Sequence, residues 1–169
     1  MRRRMMWFLF AVIVGAGAYA NTLRATSPSG FTGTTLAKAT FEEIDLNAHT
    51  LPANFWQARL KTKGLSDLYV QSNVWKPGGT SGWHTHPGPS LIIVTAGTIT
   101  GYEGDDPSCT PQVYLQGMGF VDPGGGHVHV LRNEDTASEA STIAVQLLPA
   151  LATRRIDAAA PGNCPSSVK

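Results

Sequence analysis

The chain has 169 residues, a formal net charge of +1, and 42% hydrophobic against 15% charged residues. That length allows one domain with a real core, and near-neutral charge without a basic stripe gives no footprint for nucleic acid. Eighteen glycines and eleven prolines lie scattered between short β-rich runs, which argues for a turn-rich all-β domain and against a helical bundle.

Three consecutive arginines at residues 2–4 precede an apolar run over 5–14 and the small-x-small ending Ala18-Tyr19-Ala20. These are the three parts of a secretory signal peptide, assigned to 1–20 with cleavage after Ala20. The rival is an uncleaved membrane anchor, but residues 5–19 give only 15 uncharged positions, fewer than the roughly 20 of a spanning helix. The mature protein is therefore expected outside the cytoplasm, periplasmic or extracellular, with no membrane association after cleavage. Residues 21–40 read as a flexible leader, 41–157 as the folded domain and 158–169 as a C-terminal tail.

Within the domain, residues 41–46 read as an edge strand, 51–55 as a loop and 57–62 as a strand. Residues 67–76 alternate with period two, placing Leu68, Val70, Ser72 and Val74 on one face and Tyr69, Gln71, Asn73 and Trp75 on the other. Residues 90–95 read as a fully buried strand through Leu91, Ile92, Ile93 and Val94. Strands over 98–103, 112–115, 120–122, 127–131 and 141–148 follow at short, turn-punctuated intervals. Such spacing predicts a closed or two-sheet antiparallel barrel.

Cys109 lies in a polar loop and Cys164 in the Pro- and Gly-rich tail. In an oxidising compartment they have one possible pairing, which would pin the tail across the barrel. Closing that loop is worth roughly 3–4 kcal/mol. The alternative is two unrelated free thiols.

Four of the five histidines fall in two short stretches, as His84 and His86 and as His127 and His129. Residues two apart on an extended segment project to the same side. The first stretch carries Gly78, His84, His86 and Gly97, with Ser90 between them; the second carries Gly117, Pro123, Gly125, His129 and Asn133. Together they resemble the two motifs of the cupin superfamily. Two departures stand out: Ser90 occupies the position of the first motif's Glu, and one extra residue separates Gly125 from His129.

The resemblance covers about residues 68–148 and implies a single-domain jelly-roll β-barrel with a metal site inside its mouth. By similarity His84, His86 and His129 would be the ligands, and three imidazoles suit one divalent ion of Fe, Mn, Ni, Cu or Zn. Gly78, Gly97, Pro123 and Asn133 would be structural. Cupins are often dimers, so a homodimer is an expectation of the same origin. His127 is either a fourth ligand or an acid/base catalytic group at the mouth, or a bulge turns it to solvent.

Gln71 and Asn73 either line the pocket or form the wet face of a half-buried strand. Trp83 and Trp75 either wall the site or are simply core. Ser90 and Gln146 are further pocket candidates. Ser90 in place of Glu leaves the ion nearly its full charge, which favours an anionic ligand. The leading expectation is an exported, mononuclear metal-dependent enzyme, dioxygenase-like, acting on a small anionic or phenolic molecule. The alternative is a non-catalytic periplasmic cupin that captures a metal or small ligand.

Overall fold

In the computed structural model, which describes residues 24–51 and 55–168, the chain is built from strands and turns, with no helix among those residues. The proposed signal peptide lies outside them. In chain order the strands are β1 Ser29–Phe41, β2 Asp45–His49, β3 Gln57–Lys61, β4 Ser66–Thr80, β5 His84–Thr85 and β6 Ser90–Ala96. There follow β7 Thr98–Glu103, β8 Gln112–Leu115, β9 Gly119–Asp122, β10 His129–Arg132, β11 Ala140–Pro149 and β12 Ile156–Asp157.

Strands β1, β4, β11, β6 and β9 pair antiparallel in that order to form one wall; β12, β5, β10, β7 and β8 form the other. The walls join where Arg132 of β10 pairs with Thr80 of β4. The result is a nearly closed antiparallel barrel, the all-β jelly-roll architecture expected from the two motifs. β2 and β3 form a separate hairpin.

The inner face of the first wall carries polar residues among the apolar ones. Along β4 it is Gln71, Asn73 and Trp75 that are buried, and along β11 Thr142, Ala144 and Gln146. Several aliphatics turn outward instead, in a registered row running Val70, Val145, Leu91 and Val121. Leu91 is 63% exposed and Val121 62%. The expectation of a fully buried strand over 90–95 is thus corrected: Ser90, Ile92 and Val94 point in, while Leu91, Ile93 and Thr95 point out. Period two governs that run despite its unbroken hydrophobicity.

Apolar packing is split between two places. Trp75, Val94, Ile99 and Ala140 close one end of the barrel interior, with Phe31, Tyr114, Phe120 and Leu131 against them. Trp83, Tyr102, Cys109, Val130 and Val168 form a second cluster. Val130 neighbours the inward His129 on β10, so this cluster lies on the outer face of the second wall, and the C-terminal tail covers it. Cys109 and Cys164 are joined by a disulfide, and the Trp83 indole N–H donates to the Val168 carbonyl at 2.9 Å. The tail is therefore pinned across the barrel, over the outer face of the second wall.

Two further expectations change. The leader expected over 21–40 gives way from Ser29 onward to β1, which pairs along nearly all of β4; its Thr and Ala side chains are mostly exposed, so it carries little hydrophobic pattern. The edge strand expected over 41–46 is split: Phe41 ends β1, and Asp45–His49 forms β2, which pairs with β3 in a hairpin. Gly97 makes the β6–β7 turn with φ +67°, and an added Cβ would sit 2.7 Å from the Glu139 carbonyl, so the turn has room only for glycine.

Candidate metal centre

The two histidine stretches meet through strand pairing. His129 on β10 is register partner to His84 on β5 on one side and to Glu103 on β7 on the other. His86 follows just after β5, and its carbonyl accepts the Gly125 N–H at 2.8 Å, which ties the first motif's loop to the second motif's turn. Gly124 in that turn has φ +64° and lies directly against the backbone of Gly88, an approach that a side chain would block.

The three rings converge. Centroid separations are 4.4 Å for His84 and His129, 4.9 Å for His84 and His86, and 5.8 Å for His86 and His129. One ring nitrogen from each can lie within 4.8 Å of the other two, close enough to share one ion. His84 and His129 are each 5% exposed and His86 is partly buried.

Hydrogen bonding fixes the tautomers. His84 Nδ1 lies 2.8 Å from the Gly82 carbonyl and His86 Nδ1 2.6 Å from the Arg154 carbonyl. A carbonyl only accepts, so both Nδ1 atoms carry the proton and both Nε2 atoms keep a free lone pair. Burial keeps the rings neutral. It pushes the His84 imidazole well below its ordinary range, helped by the neighbouring His129, Arg155 and His86, and it lowers His86. His129 falls to about 4, again chiefly by burial and against the pull of Asp122. Buried neutral imidazoles with unclaimed lone pairs are the donor set a divalent transition metal needs, so the residues fit the ion that the motifs imply.

The triad opens onto a cavity of ≈ 150 Å³. Besides the triad, its polar lining includes Gln71, Asn73, Ser90, Asp122, Gln146, Arg154 and Arg155, with Trp75, Ile92 and Ala144 among the apolar part. Gln71 and Asn73 therefore face inward, not to solvent; they hydrogen-bond to one another, and Asn73 Nδ2 donates to Thr142 Oγ1 at 3.2 Å. Gln146 Nε2 donates to Ser90 Oγ at 3.1 Å. Trp83 is corrected: it is wholly buried in the outer cluster and does not line this cavity.

Asn133 is fully buried. Its side-chain amide donates to the Ser138 carbonyl at 2.7 Å and to the Lys76 carbonyl at 3.2 Å, and its Oδ1 accepts the Asp135 N–H at 3.1 Å. It clamps the loop after β10. Gly78, with φ +70°, turns the end of β4, and its N–H donates to the Asp135 carbonyl at 2.9 Å. His49 is exposed on β2, apart from the site.

His127 stands just outside the triad, in the turn before β10. Its Nε2 lies 3.2 Å from Glu103 Oε2 and 3.6 Å from Asp105 Oδ1, and its Nδ1 lies 3.8 Å from Asp122 Oδ1. Asp122, His127 and His129 form a second group of possible ligands that shares His129 with the first.

Three residues near the triad escaped the sequence reading. Asp122 immediately precedes Pro123 of the second motif, and only the β6–β9 register brings it opposite Ser90. Arg154 and Arg155 follow the last long strand, and no spacing rule links them to the histidines. Arg155 is held by the Ser81 carbonyl and Asp157, both at 2.6 Å. Arg154 lies over the Tyr69 ring at 5.4 Å. Its Nη1 is buried with no hydrogen-bond partner among the described residues, and burial lowers its guanidinium below the usual range.

No family model matches the chain, and no curated protein does. Solved structures similar to it include a cupin-like protein from Thermotoga maritima, at 22% identity and TM-score 0.46, over 55% of this chain and 65% of that one. Others are a DMSP lyase from Ruegeria pomeroyi, at 19% identity and TM-score 0.45, over 53% of this chain and 42% of that one, and a salicylate 1,2-dioxygenase from Pseudaminobacter salicylatoxidans, at 14% and 0.40, over 47% and 20%. The chain thus spans two thirds or less of those proteins' lengths. Its own features carry the cupin likeness: an antiparallel barrel, both motifs in order, and the motif histidines gathered inside.

Proposed function

We propose that this protein is an exported, mononuclear metal-dependent enzyme of cupin type, dioxygenase-like, acting on a small anionic or phenolic molecule. The observation that carries the reading is the meeting of three neutral imidazoles with the buried, hydrogen-bond-free Nη1 of Arg154 in one cavity. His84, His86 and His129 would hold the ion. When bound, it supplies Lewis acidity and, if redox-active, a path for electrons.

The chain's own groups supply recognition. Arg154 Nη1 offers a buried donor to a carboxylate or phenolate, and an Arg–anion contact in a dry site is strong and directional. Arg155, held in place, adds positive potential without needing to move. Gln146 and Asn73 present amides that can fix the ligand's orientation, while Trp75 and Ile92 exclude water on the apolar side. The cavity limits the ligand to a small molecule. Export is supported by the arginine-led apolar leader and by the disulfide.

A non-catalytic binder is the second reading, favoured by one observation: His127, the candidate acid/base, is absent from the cavity lining. Oxygen uptake by the metal-loaded protein, screened over thiols, phenols and small carboxylates, separates the two. The enzyme reading predicts uptake with at least one such compound and a higher KM in Arg154→Ala. Ligand binding without turnover across the screen contradicts it in favour of the binder. Mass analysis of the exported protein should show a chain beginning at Asn21; an intact Met1 in membranes contradicts export by cleavage.

A further inference from the structure

We infer that Asp122 supplies the carboxylate that the first motif lacks at Ser90, acting on the metal centre through His129; this rests on the triad being a metal site. Asp122 on β9 and Ser90 on β6 are register partners, 6% and 2% exposed, and both line the cavity. The side chain missing from one strand is thus answered by a carboxylate at the paired position of the next. Neither sequence spacing nor motif matching relates the two positions, because the relation exists only across the strand pair.

The contacts of Asp122 give it a definite role. Its Oδ1 accepts the Gly124 N–H at 2.9 Å and lies 3.6 Å from His129 Nδ1. Its Oδ2 and His129 Nδ1 are both buried and without hydrogen-bond partners. A displacement of about 1 Å would bring the carboxylate and the ring N–H to hydrogen-bond distance. A carboxylate on the far nitrogen of a ligating histidine fixes its tautomer and raises its basicity, as the carbonyls of Gly82 and Arg154 do for His84 and His86. Those two partners are neutral. Asp122 alone brings a negative charge to balance the ion. It is a positioning residue, since it reaches the ion through the imidazole.

Cobalt(II) titration of the full exported chain, followed by visible absorption, tests this with wild type, Asp122→Asn and the double variant Asp122→Asn with Ser90→Glu. Asparagine keeps an acceptor for the Gly124 N–H and removes only the charge. The single variant should bind cobalt about 10–100-fold more weakly, with unchanged metal-free thermal stability, and the double variant should regain most of that loss. Wild-type affinity in Asp122→Asn overturns the inference, and so does a loss that Ser90→Glu leaves in place. Failure of the wild type itself to bind cobalt overturns the underlying metal-site reading instead.

Discussion

The rings of His84 and His129 meet edge to face, 4.4 Å between centroids, because the two residues are direct partners in the β5–β10 pairing. Residues 45 positions apart are set side by side by one backbone register. Replacing either imidazole removes a proposed ligand while leaving the backbone pairing in place. His84→Ala should lose stoichiometric metal on elemental analysis while keeping its far-ultraviolet spectrum. At a hundredfold excess over the dissociation constant, metal should stabilise the wild type by about 2.7 kcal/mol and the variant not at all. Equal stabilisation of both contradicts the assignment.

The metal-free protein should lose stability as pH falls from 6.5 toward 4. His84, His86 and His129 all sit below their ordinary range in the folded chain, chiefly through burial. Above pH 6.5 both states are neutral there, so these groups add no slope. Below it the unfolded chain takes up protons that the folded chain's buried rings resist, His129 down to about pH 4. The cost is on the order of a few kcal/mol. Urea midpoints at pH 7.5, 6 and 5 measure it, and a flat profile contradicts buried neutral imidazoles.

A second acid-sensitive feature lies in a lower window. The Asp67 carboxylate accepts from Lys38 Nζ at 2.9 Å, Thr40 Oγ1 at 2.6 Å and the Leu151 N–H at 3.2 Å. These bonds hold it at about 2, so its contribution is present above pH 4 and fades as pH falls toward 2. Asp67→Ala should lower the urea midpoint at pH 7, since it removes the shared acceptor of Lys38, Thr40 and Leu151. An unchanged midpoint contradicts that role.

Reducing the Cys109–Cys164 bond should cost about 4 kcal/mol, because the bond closes a loop with sequence separation 55. The tail should then lift from the outer face of the second wall and expose Trp83, whose indole N–H loses the Val168 carbonyl. Red-shifted tryptophan emission on reduction, absent in an already reduced Cys109→Ser variant, checks this. Unshifted emission contradicts the tail's covering role.

Most strand positions were legible in the sequence because they follow from period two and turn placement, and the convergence of His84, His86 and His129 was legible through the resemblance to the cupin motifs. The 67–76 alternation, for example, gave the right faces. Which face pointed in was not legible: the buried face carries Gln71 and Asn73, and the reason is a polar cavity that local patterning cannot announce. β1 was missed because its small, exposed Thr and Ala side chains give no hydrophobic contrast. Trp83, flanking the glycine-rich turn, could be pocket wall or core from sequence alone; adjacent residues of an extended segment face opposite sides, so with His84 turned inward Trp83 goes to the outer cluster. Asp122, Arg154 and Arg155 needed the tertiary fold, since strand pairing and the final turn alone bring them to the histidines.

The central claim is that His84, His86 and His129 share one ion inside the barrel. Crystals grown with zinc and measured at the zinc absorption edge test it directly. One anomalous peak about 2.0–2.1 Å from a ring nitrogen of each of the three residues is the predicted result. A peak held instead by Asp122 and His127, or no peak on the triad at saturating zinc, would contradict it.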